Sequence, residues 1–348
     1  MSEQKDKRHF SPPMRDTNSA FLPAKEATSD PVRVGFVLQE HFSMMAFTAA
    51  VDALVTANLV RTAPLFEYTT YGLDSLKVKS DLGINISTSA QLEQLKVEGN
   101  DKVDILIVCG GFRCLLTEPS SLVSKLKVAG RSGTIIGALW NGTVPLAYAG
   151  LLDGRTCALH PDNHAFMNEN FPQVTVSDRV LVVEQDRATS AGPNSALEMM
   201  LMLIERSQGK NVVRAIREIL SCDQASESRE TELVQSADNP SFPEALRELL
   251  QVMDSNIEEP LTIDELASFV GVSRRRIERL FQTHLDTSPS RYYLELRITH
   301  ARRLLIQGSD SIANIALASG FVSSTHFSHC FKDYFGISPS QARQHRSS

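Results

Sequence analysis

The chain has 348 residues, of which 42% are hydrophobic and 22% are charged, and its formal net charge is −6 at pH 7. This length and composition predict two or three domains with sizeable apolar cores, and they exclude wholesale disorder, a collagen-like repeat and a small disulfide-bonded scaffold. The acidic average argues against a nucleic-acid partner, although a basic surface on one domain can be hidden within it.

The N-terminal segment, residues 1–31, mixes charged residues, Ser and four prolines without apolar periodicity, and we expect a disordered tail. No apolar run follows its basic residues, so no secretory signal peptide is predicted. The five cysteines are scattered without metal-ligand spacing, which favours a reduced, cytoplasmic protein with no metal site. The longest uncharged stretch, residues 133–152, is interrupted by Gly, Asn and Pro and predicts buried strand, turn and helix, not a membrane span.

From residue 32 to residue 209, short apolar runs alternate with helical periods. The candidate strands are Val32–Leu38, Phe66–Tyr71, Val103–Cys109, Thr134–Leu139, Val174–Val176 and Val180–Glu184, and the candidate helices are Met44–Val60, Ser120–Ala129 and Ser195–Arg206. This alternation predicts one α/β domain, with helices flanking a mostly parallel sheet.

The rest of the chain contains a linker and a second domain. Residues 210–241 combine a helix, Val212–Leu220, with the polar stretch Ser221–Pro240, which is typical of an interdomain linker. Residues 242–348 have helical periodicity with turn signals at glycines, and they predict an all-α domain of ordinary size.

The all-α domain contains one pattern twice. In each copy a short helix is followed by a tight turn containing Gly and by a second helix. The turn glycines are Gly271 and Gly320, and the offset between copies is 49 residues up to the glycine and 50 after it, which indicates duplication. The arrangement predicts two helix-turn-helix units, whose second helices enter the DNA major groove. The predicted N-caps are Ser273 in the first unit and Ser323 or Ser324 in the second.

Both recognition helices carry polar residues opposite an apolar stripe, which in the first is Ile277, Leu280, Phe281 and His284 or Leu285. Side chains suited to base edges are Arg275, Glu278, Arg279 and Gln282 in the first helix, and Ser324, Thr325, Ser328, His329 and Lys332 in the second. Candidate phosphate contacts are Arg274 and Arg276 on the flanks, and Arg291, Arg297, Arg302 and Arg303 on the connecting helix Ser290–Ile306. The alternative is that these arginines form only a solvated face.

Specific motifs of this domain carry a family resemblance. They are Pro260-Leu261-Thr262, Ser273-Arg274-Arg275, Leu280-Phe281, the run from Ile315 to Phe321, His326-Phe327-Ser328 and Ser338-Pro339. From Phe242 to about Arg346 the chain resembles the AraC family of transcription regulators. The resemblance implies that one chain contacts successive major-groove segments of double-stranded promoter DNA, and that an activator would also contact RNA polymerase. His329 stands where the family more often has Arg, so base readout by the second unit would be weaker or pH-sensitive.

In the α/β domain, a strand enters a helix through the Gly-flanked turn Gly137–Gly142, which has the shape of a nucleophile elbow. Further motifs are Val108-Cys109-Gly110-Gly111, the run Ala149–Gly154, His160, Phe42-Ser43-Met44, Phe171-Pro172 and Met199-Met200. Over residues 32–206 these resemble the DJ-1/PfpI (class I glutamine-amidotransferase-like) superfamily, and specifically the regulators that join it to an AraC-type domain. The resemblance implies a flavodoxin-like sheet and a homodimer.

The elbow position holds Trp140, whereas enzymes of the superfamily use a Cys that is activated as a thiolate. Cys109 and Cys157 lie away from the elbow. We therefore predict no catalytic residue, no enzymatic activity and no cofactor.

An inactive cleft can still serve as a ligand sensor. Trp140 offers an aromatic face for stacking on a cationic head group and an indole N–H donor. Around the same opening we expect Glu40, Gly111, Phe112, Asn141 and His160. The alternative is that Trp140 fills the vacated pocket and His160 is a satisfied buried histidine. The resemblance implies effectors of the class of amino acids, betaines and carnitine-like amines.

Together these features predict a cytoplasmic, ligand-responsive transcription regulator that binds DNA as a homodimer and acts as an activator. Two alternatives stay open, a DNA-binding enzyme of the hydrolase or glyoxalase type and a constitutive regulator whose first domain only dimerises. The charge distribution fits a DNA-binding C-terminal domain. Residues 242–348 have a net charge of zero, but Gly271–Ile306 holds eight arginines against three acids.

Overall fold

A computed structural model describes residues 8–22, 30–61, 64–220 and 239–344. In these residues the chain forms two compact units. The α/β unit comprises residues 30–58 and 64–213, and the helical unit comprises residues 8–22, 59–61, 214–220 and 239–344. The division falls inside two helices, Met44–Val60 and Lys210–Leu220, and the linker predicted over Ser221–Pro240 lies almost wholly outside the described residues.

The described elements follow the chain in this order. The α-helices are α1 (Pro12–Asn18), α2 (Met44–Val60), α3 (Ser120–Arg131), α4 (Thr143–Tyr148), α5 (His164–Asn170), α6 (Pro193–Gln208), α7 (Lys210–Leu220), α8 (Glu244–Ser255), α9 (Ile263–Val270), α10 (Arg274–Leu285), α11 (Pro289–Gln307), α12 (Ile312–Ala318), α13 (Ser324–Phe335) and α14 (Pro339–Gln344). The strands are β1 (Val32–Leu38), β2 (Phe66–Gly72), β3 (Lys77–Lys79), β4 (Asn85–Ser87), β5 (Ala90–Gln91), β6 (Ile105–Cys109), β7 (Ile135–Leu139), β8 (Thr156–Ala158), β9 (Thr175–Ser177), β10 (Leu181–Val183) and β11 (Arg187–Ser190). Short 3-10 turns span Ser19–Phe21, Leu92–Gln94, Trp140–Gly142 and Pro161–Asn163.

The α/β unit is built on a seven-stranded sheet with strand order β10-β11-β7-β6-β1-β2-β5. Its strands pair in parallel except β10, which is antiparallel to β11. The central order β2-β1-β6-β7 is flavodoxin-like, and β6 is buried along its whole length, as expected of a strand in a parallel sheet covered on both faces. The predicted mostly parallel sheet with flanking helices is confirmed.

Four central strands end together at one edge of this sheet. Leu38 of β1 pairs with Cys109 of β6, Cys109 pairs with Leu139 of β7, and Leu139 pairs with Ser190 of β11. The loops that follow these residues therefore meet at the carboxyl edge, which is where ligands bind in open α/β sheets.

Strand β11 has no counterpart among the candidate strands. Its sequence, Arg-Ala-Thr-Ser, has no apolar run, yet all four residues are buried. Because β11 lies between β7 and β10, its Ala, Thr and Ser side chains and its one arginine, Arg187, are all buried, and buried polar groups are tolerated when they are hydrogen-bonded. Thr189 meets this condition, since its Oγ1 accepts a 2.8 Å hydrogen bond from the backbone N–H of Ala158.

The helical unit has one apolar core. It includes Leu249 and Leu250 of α8, Leu266 of α9, Ile277 and Phe281 of α10, Ile298 and Leu305 of α11, Ile315 of α12, and Phe327 and Phe331 of α13. The two copies of the repeat thus share one core with the connecting helix α11. In the described part of the chain, no helix is both long and apolar enough to cross a membrane.

Residues 8–22 also belong to this core, so the expectation of a disordered tail is wrong for them; residues 1–7 and 23–29 lie outside the described residues. The Phe10 side chain is 2% exposed, and its ring centroid lies 4.8 Å from that of Tyr334 and 5.2 Å from that of Phe335. Met14 of α1, four residues further on, is 7% exposed. Two apolar residues in a segment of polar average composition carry no periodic pattern, so the sequence does not reveal that they are buried.

The same segment supplies hydrogen bonds to a buried carboxylate. Glu295 of α11 is fully buried, and its two carboxylate oxygens accept from the backbone N–H of Ser11 at 3.0 and 3.1 Å. The Ser11 hydroxyl also donates to this carboxylate, and Arg291 Nε donates to it at 2.9 Å. A buried carboxylate is tolerated only when it is hydrogen-bonded and paired in this way.

Candidate DNA interface and candidate ligand site

The first helix-turn-helix unit consists of α9 and α10, and local sequence fixes its ends. The Thr262 hydroxyl accepts from the backbone N–H of Glu265 at 3.2 Å, while the Glu265 carboxylate accepts from the backbone N–H of Thr262 at 2.7 Å, which completes a capping box. Helix α9 ends at Gly271, and the Ser273 hydroxyl caps α10 by accepting from the backbone N–H of Arg276 at 3.3 Å.

The second unit, α12 and α13, repeats this backbone geometry. Gly271 has φ +70° and Gly320 has φ +74°, a left-handed conformation that L side chains rarely adopt. In both copies the residue after the glycine donates its backbone N–H to the carbonyl of the alanine that lies four residues before the glycine. The distance is 3.0 Å from Val272 to Ala267 and 2.8 Å from Phe321 to Ala316. Ser323, not Ser324, caps α13 by accepting from the backbone N–H of His326 at 3.4 Å.

On the first recognition helix, α10, the buried stripe is Ile277, Phe281 and Leu285, while His284 is exposed. All the proposed DNA-contacting residues of this helix are exposed, namely Arg274, Arg275, Arg276, Glu278, Arg279 and Gln282. The separation of faces expected from the sequence is therefore present.

Several of these exposed residues bind one another. Arg274 lies 3.3 Å from Glu278 and 3.5 Å from Asp264, and Gln282 donates to Asp286 at 3.0 Å. In the described chain the salt bridges do not include Arg275, Arg276 or Arg279. These three guanidinium groups are accordingly available for base edges and phosphates.

The second recognition helix, α13, presents a different chemistry. Ser324, Thr325, His329 and Lys332 are exposed, and Ser328 is half-buried. His329 Nε2 lies 3.7 Å from the Asp333 carboxylate, so a protonated imidazole would be partly neutralised there. This face therefore offers hydroxyls, an imidazole and one amine.

Arg302, expected to contact phosphate, is placed elsewhere, and that expectation is wrong. Its side chain on α11 is 3% exposed, and Nη2 donates to Glu218 at 2.9 Å. Its guanidinium carbon lies 3.6 Å from the ring centroid of Phe21, and burial, the largest cause, lowers the pKa of Arg302 to about 10. A residue without exposed surface does not reach a DNA backbone.

The other arginines of α11 are also engaged inside the helical unit. Arg297 donates to the backbone oxygens of Ser319 at 2.9 Å and Gly320 at 2.6 Å, which fixes the second turn. Arg303 Nε donates to Glu218 at 2.7 Å, and Arg291 binds Glu295. The connecting helix thus uses its arginines for internal contacts.

In the α/β unit, Trp140 occupies the elbow at the end of β7 with φ +55°. This left-handed conformation is costly for a bulky residue and matches the strained turn that projects an elbow side chain into the cleft. The indole stacks on the His160 ring, with centroids 4.8 Å apart and an interplanar angle of 11°. The structure therefore brings together two of the proposed ligand residues.

The remaining proposed ligand residues form a second group at the same edge. Asn141 is buried; its Nδ2 donates to the Gly111 carbonyl at 3.0 Å and its Oδ1 accepts from Asn163. The Glu40 side chain is exposed and accepts from the backbone N–H of Lys79, while Phe112 is 60% exposed. Asn141 thus holds two loops together, and Phe112 presents an open aromatic surface.

Near this edge lie buried polar atoms of three residues that were not singled out from the sequence, Gln39, His41 and Ser190, beside the predicted indole N–H of Trp140. In the described chain Gln39 Oε1, His41 Nδ1, Trp140 Nε1 and Ser190 Oγ are buried without a hydrogen-bond partner. Gln39 and His41 follow β1, and His41 has φ +63°. Such atoms call for a water or a ligand. Only the chain topology, which aligns the ends of β1, β7 and β11, points to their juxtaposition.

The thiols of this unit are not activated. Burial raises the pKa of Cys109 well above its usual value, that of Cys114 to about 12 and that of Cys157 to about 11. Thiols with these pKa values remain protonated at neutral pH and are poor nucleophiles. Among the described residues, no cluster of His, Cys, Asp and Glu has the arrangement of a metal site.

An α/β unit with a Trp at its elbow, joined to two helix-turn-helix units with exposed arginines, defines a class of DNA-binding regulators. The DJ-1/PfpI family model matches residues 32–206, and a helix-turn-helix domain model matches residues 266–345. The HTH-type transcriptional regulator GbdR of Pseudomonas aeruginosa is 38% identical over 320 residues, which cover 90% of this chain and 85% of GbdR. GlxA of Rhizobium meliloti, also an HTH-type transcriptional regulator, is 31% identical over 318 residues, or 91% and 97% of the two chains.

A crystal structure of an AraC family transcriptional regulator from Pseudomonas putida superposes with a TM-score of 0.51 and 40% identity, covering 55% of this chain and all of that one. The chain belongs to the AraC-type regulators that carry a DJ-1/PfpI domain, and it is a DNA-binding transcription regulator.

Proposed function

We propose that the protein is a ligand-responsive activator without enzymatic activity, whose α/β unit binds a small nitrogenous metabolite at the carboxyl edge around Trp140. It acts as a homodimer on promoter DNA and contacts RNA polymerase there. The observation that carries the sensor proposal is Trp140, an aromatic side chain in the left-handed elbow conformation with an unpartnered indole N–H. A ligand would change transcription only if it binds one arrangement of the units better than another.

The proposed DNA contacts rest on the exposed faces of α10 and α13. Arg275 and Arg279 lie one turn apart on α10, where each guanidinium can bridge the O6 and N7 atoms of a guanine. Thr325 and His329 occupy the corresponding positions on α13, and Lys332 corresponds to Gln282. Two such helices on one chain would contact successive major-groove segments, and a homodimer would double that set.

The test of these contacts is an alanine substitution with a charge-matched control. Arg279→Ala should weaken binding to the cognate operator by about 1–3 kcal/mol, or roughly five- to 150-fold, and should relax sequence preference. Arg131→Ala removes an equally exposed arginine at the end of α3 in the α/β unit and should leave affinity unchanged. Equal affinities for both variants, measured by fluorescence anisotropy, would disprove the assigned face.

The proposed effector chemistry follows from the groups at the carboxyl edge. A quaternary or primary amine is attracted to the faces of Trp140 and Phe112 by cation–π interaction. The unpartnered donors and acceptors of Gln39, His41 and Trp140 suit a carboxylate or hydroxyl on the same small molecule. Amino acids, betaines and carnitine-like amines combine these features.

Because Trp140 is the only tryptophan of the chain, its fluorescence reports directly on this site. Titration with glycine betaine, carnitine and the amino acids should give a saturable change with at least one of them, and Trp140→Phe should weaken its binding in a thermal-shift assay. A compound at 100 times its dissociation constant should add about 2.7 kcal/mol of apparent stability. If no compound changes either signal, the α/β unit is only a dimerisation scaffold.

The activator, dimer and non-enzyme assignments have separate tests. Transcription in vitro with purified RNA polymerase should increase when protein and effector are present together, and sedimentation should give a dimer. Hydrolase and glyoxalase assays should show no turnover, because the buried thiols stay protonated. Turnover abolished by thiol labelling would instead support the enzyme alternative.

A further inference from the structure

An apolar side chain is fully exposed at the start of the second recognition helix. Val322 lies in the turn between α12 and α13, and it is the most exposed large apolar residue in the described part of the chain. Burial of a valine is favourable, and a valine left wholly in water forgoes that contribution. Single exposed apolar residues are common, so the position of Val322 decides whether it has a use.

The duplication identifies Val322 as the extra residue of the second unit. The first turn is Gly271-Val272-Ser273, and the second is Gly320-Phe321-Val322-Ser323. Phe321 corresponds to Val272, because each donates its backbone N–H to an alanine carbonyl of the preceding helix and packs on the core. Ser323 corresponds to Ser273, because each caps a recognition helix. The first unit therefore has no counterpart of Val322.

The backbone on both sides of Val322 is fixed. The Phe321 side chain is 3% exposed, and the guanidinium carbon of Arg297 lies 4.4 Å from its ring centroid. Arg297 also donates to the Gly320 carbonyl at 2.6 Å, and the Ser323 hydroxyl accepts from the backbone N–H that begins α13. Valine is itself stiff at χ1 because it is β-branched. A contact made by this side chain therefore costs little conformational entropy.

This position is close to the expected base contacts. In a helix-turn-helix unit, the N-terminal residues of the recognition helix meet base edges in the major groove. Val322 immediately precedes the N-cap of α13, and Ser324 and Thr325, which are proposed to meet base edges, follow that cap. The base edges of the major groove present one apolar group, the 5-methyl group of thymine.

We propose that Val322 packs on the 5-methyl group of a thymine and so determines base preference at one position of the operator. The inference rests on the proposed DNA-contacting face of α13, and it adds an apolar contact to the hydroxyls, imidazole and amine of that face. Cytosine has no methyl group and presents an amino group instead, so it gives Val322 no comparable contact.

Replacement of thymine by uracil tests this contact, because uracil lacks only the 5-methyl group. Duplexes that bind the full chain tightly are selected from a random pool, and each thymine of the selected operator is then replaced in turn. Fluorescence anisotropy should identify one thymine in each half-site whose replacement lowers the affinity of the wild type roughly fourfold or more, the effect of about one buried methyl group.

Val322→Ala removes both methyl groups of the valine. In this variant the same uracil replacement should change the affinity less than about twofold, whereas an effect of uracil on DNA shape would persist. The matched control is Val180→Ala, since Val180 is an exposed valine of the α/β unit, and it should distinguish thymine from uracil like the wild type. Because Val322 is fully exposed, Val322→Ala should also keep the wild-type midpoint in urea denaturation, so unfolding does not explain a lost preference.

Each possible result supports or refutes the contact. The proposal is overturned if no thymine is sensitive to replacement, or if the uracil effect persists in Val322→Ala. An equal loss of affinity of Val322→Ala for the operator and for random duplexes would indicate a backbone contact, which also contradicts it.

Thr325→Ala distinguishes failure of this contact from failure of the proposed DNA face. If Thr325→Ala weakens operator binding while no thymine is sensitive to replacement, α13 meets the DNA without Val322. If neither change has an effect, the proposed face of α13 is itself refuted.

Discussion

Phe10 provides the sharpest test of the helical unit, because a residue from the start of the chain fills a core formed by its end. The ring is 2% exposed and lies between Tyr334 and Phe335. Phe10→Ala removes the whole buried ring and leaves a cavity, for which about 3–5 kcal/mol of destabilisation is typical. Phe10→Leu keeps most of the volume and should cost less than about 1.5 kcal/mol.

Urea denaturation can show which of the two units is destabilised by Phe10→Ala. Trp140 fluorescence follows the α/β unit alone, since the helical unit contains no tryptophan, while far-UV circular dichroism follows the helices of both units. We expect Phe10→Ala to shift part of the dichroism transition to lower urea and to leave the fluorescence midpoint unchanged. A loss of about 4 kcal/mol is a large share of the stability of an ordinary domain, which is about 5–15 kcal/mol.

The control for this measurement is an equally large aromatic residue on the surface of the same unit. Phe269 is 73% exposed, so Phe269→Ala should change stability by less than about 0.5 kcal/mol. If Phe10→Ala behaved like Phe269→Ala, residues 8–22 would contribute nothing to the core, and the assignment of the N-terminal segment to the helical unit would be refuted.

Three further expectations follow from the backbone and from burial. At Gly271 an added Cβ meets nothing within 4 Å, so Gly271→Ala should lower the free energy of unfolding only by the cost of the left-handed conformation, about 1–2 kcal/mol. At Gly320 the added Cβ would lie 2.4 Å from the Ile257 carbonyl oxygen, so Gly320→Ala should lower the free energy of unfolding by more, as measured by urea denaturation. Trp140→Gly should be about 1 kcal/mol more stable than Trp140→Ala in the same assay, because only Gly adopts φ +55° without strain. Burial raises the pKa of Tyr334 from 10 to about 12, so the unfolded chain loses the phenol proton at lower pH than the folded chain does. The free energy of unfolding should therefore fall as the pH rises from 10 towards 12. A melting temperature that does not change over that pH range would contradict this expectation.

The helix-turn-helix units were predictable because their signals are local. The Gly turn, the Ser cap and the spacing of Ile277 and Phe281 each act within one helical turn, and duplication repeats them at a fixed offset. The elbow was equally local, since a Gly-flanked strand-to-helix turn at Trp140 is visible in six residues.

Arg302 shows what local patterns cannot predict. On a helical wheel it resembles Arg291 or any other basic residue on the connecting helix. Its burial depends on Glu218, 84 residues earlier, and on Phe21, which lies in a segment of polar average composition. Long-range partners of this kind leave no periodic signal, and the same reason explains why residues 8–22 were expected to be disordered.

The structure divides the eight arginines between Gly271 and Ile306 into two sets with different consequences. The four on α10 are exposed, and the four on α11 bind carboxylates or backbone oxygens within the helical unit. On the second recognition helix, Lys332 is the only Lys or Arg. The arginines of the first unit should therefore release most of the DNA counterions, which is the main source of sequence-independent affinity. The hydroxyls and the imidazole of the second unit carry little charge and can contribute to selectivity between bases.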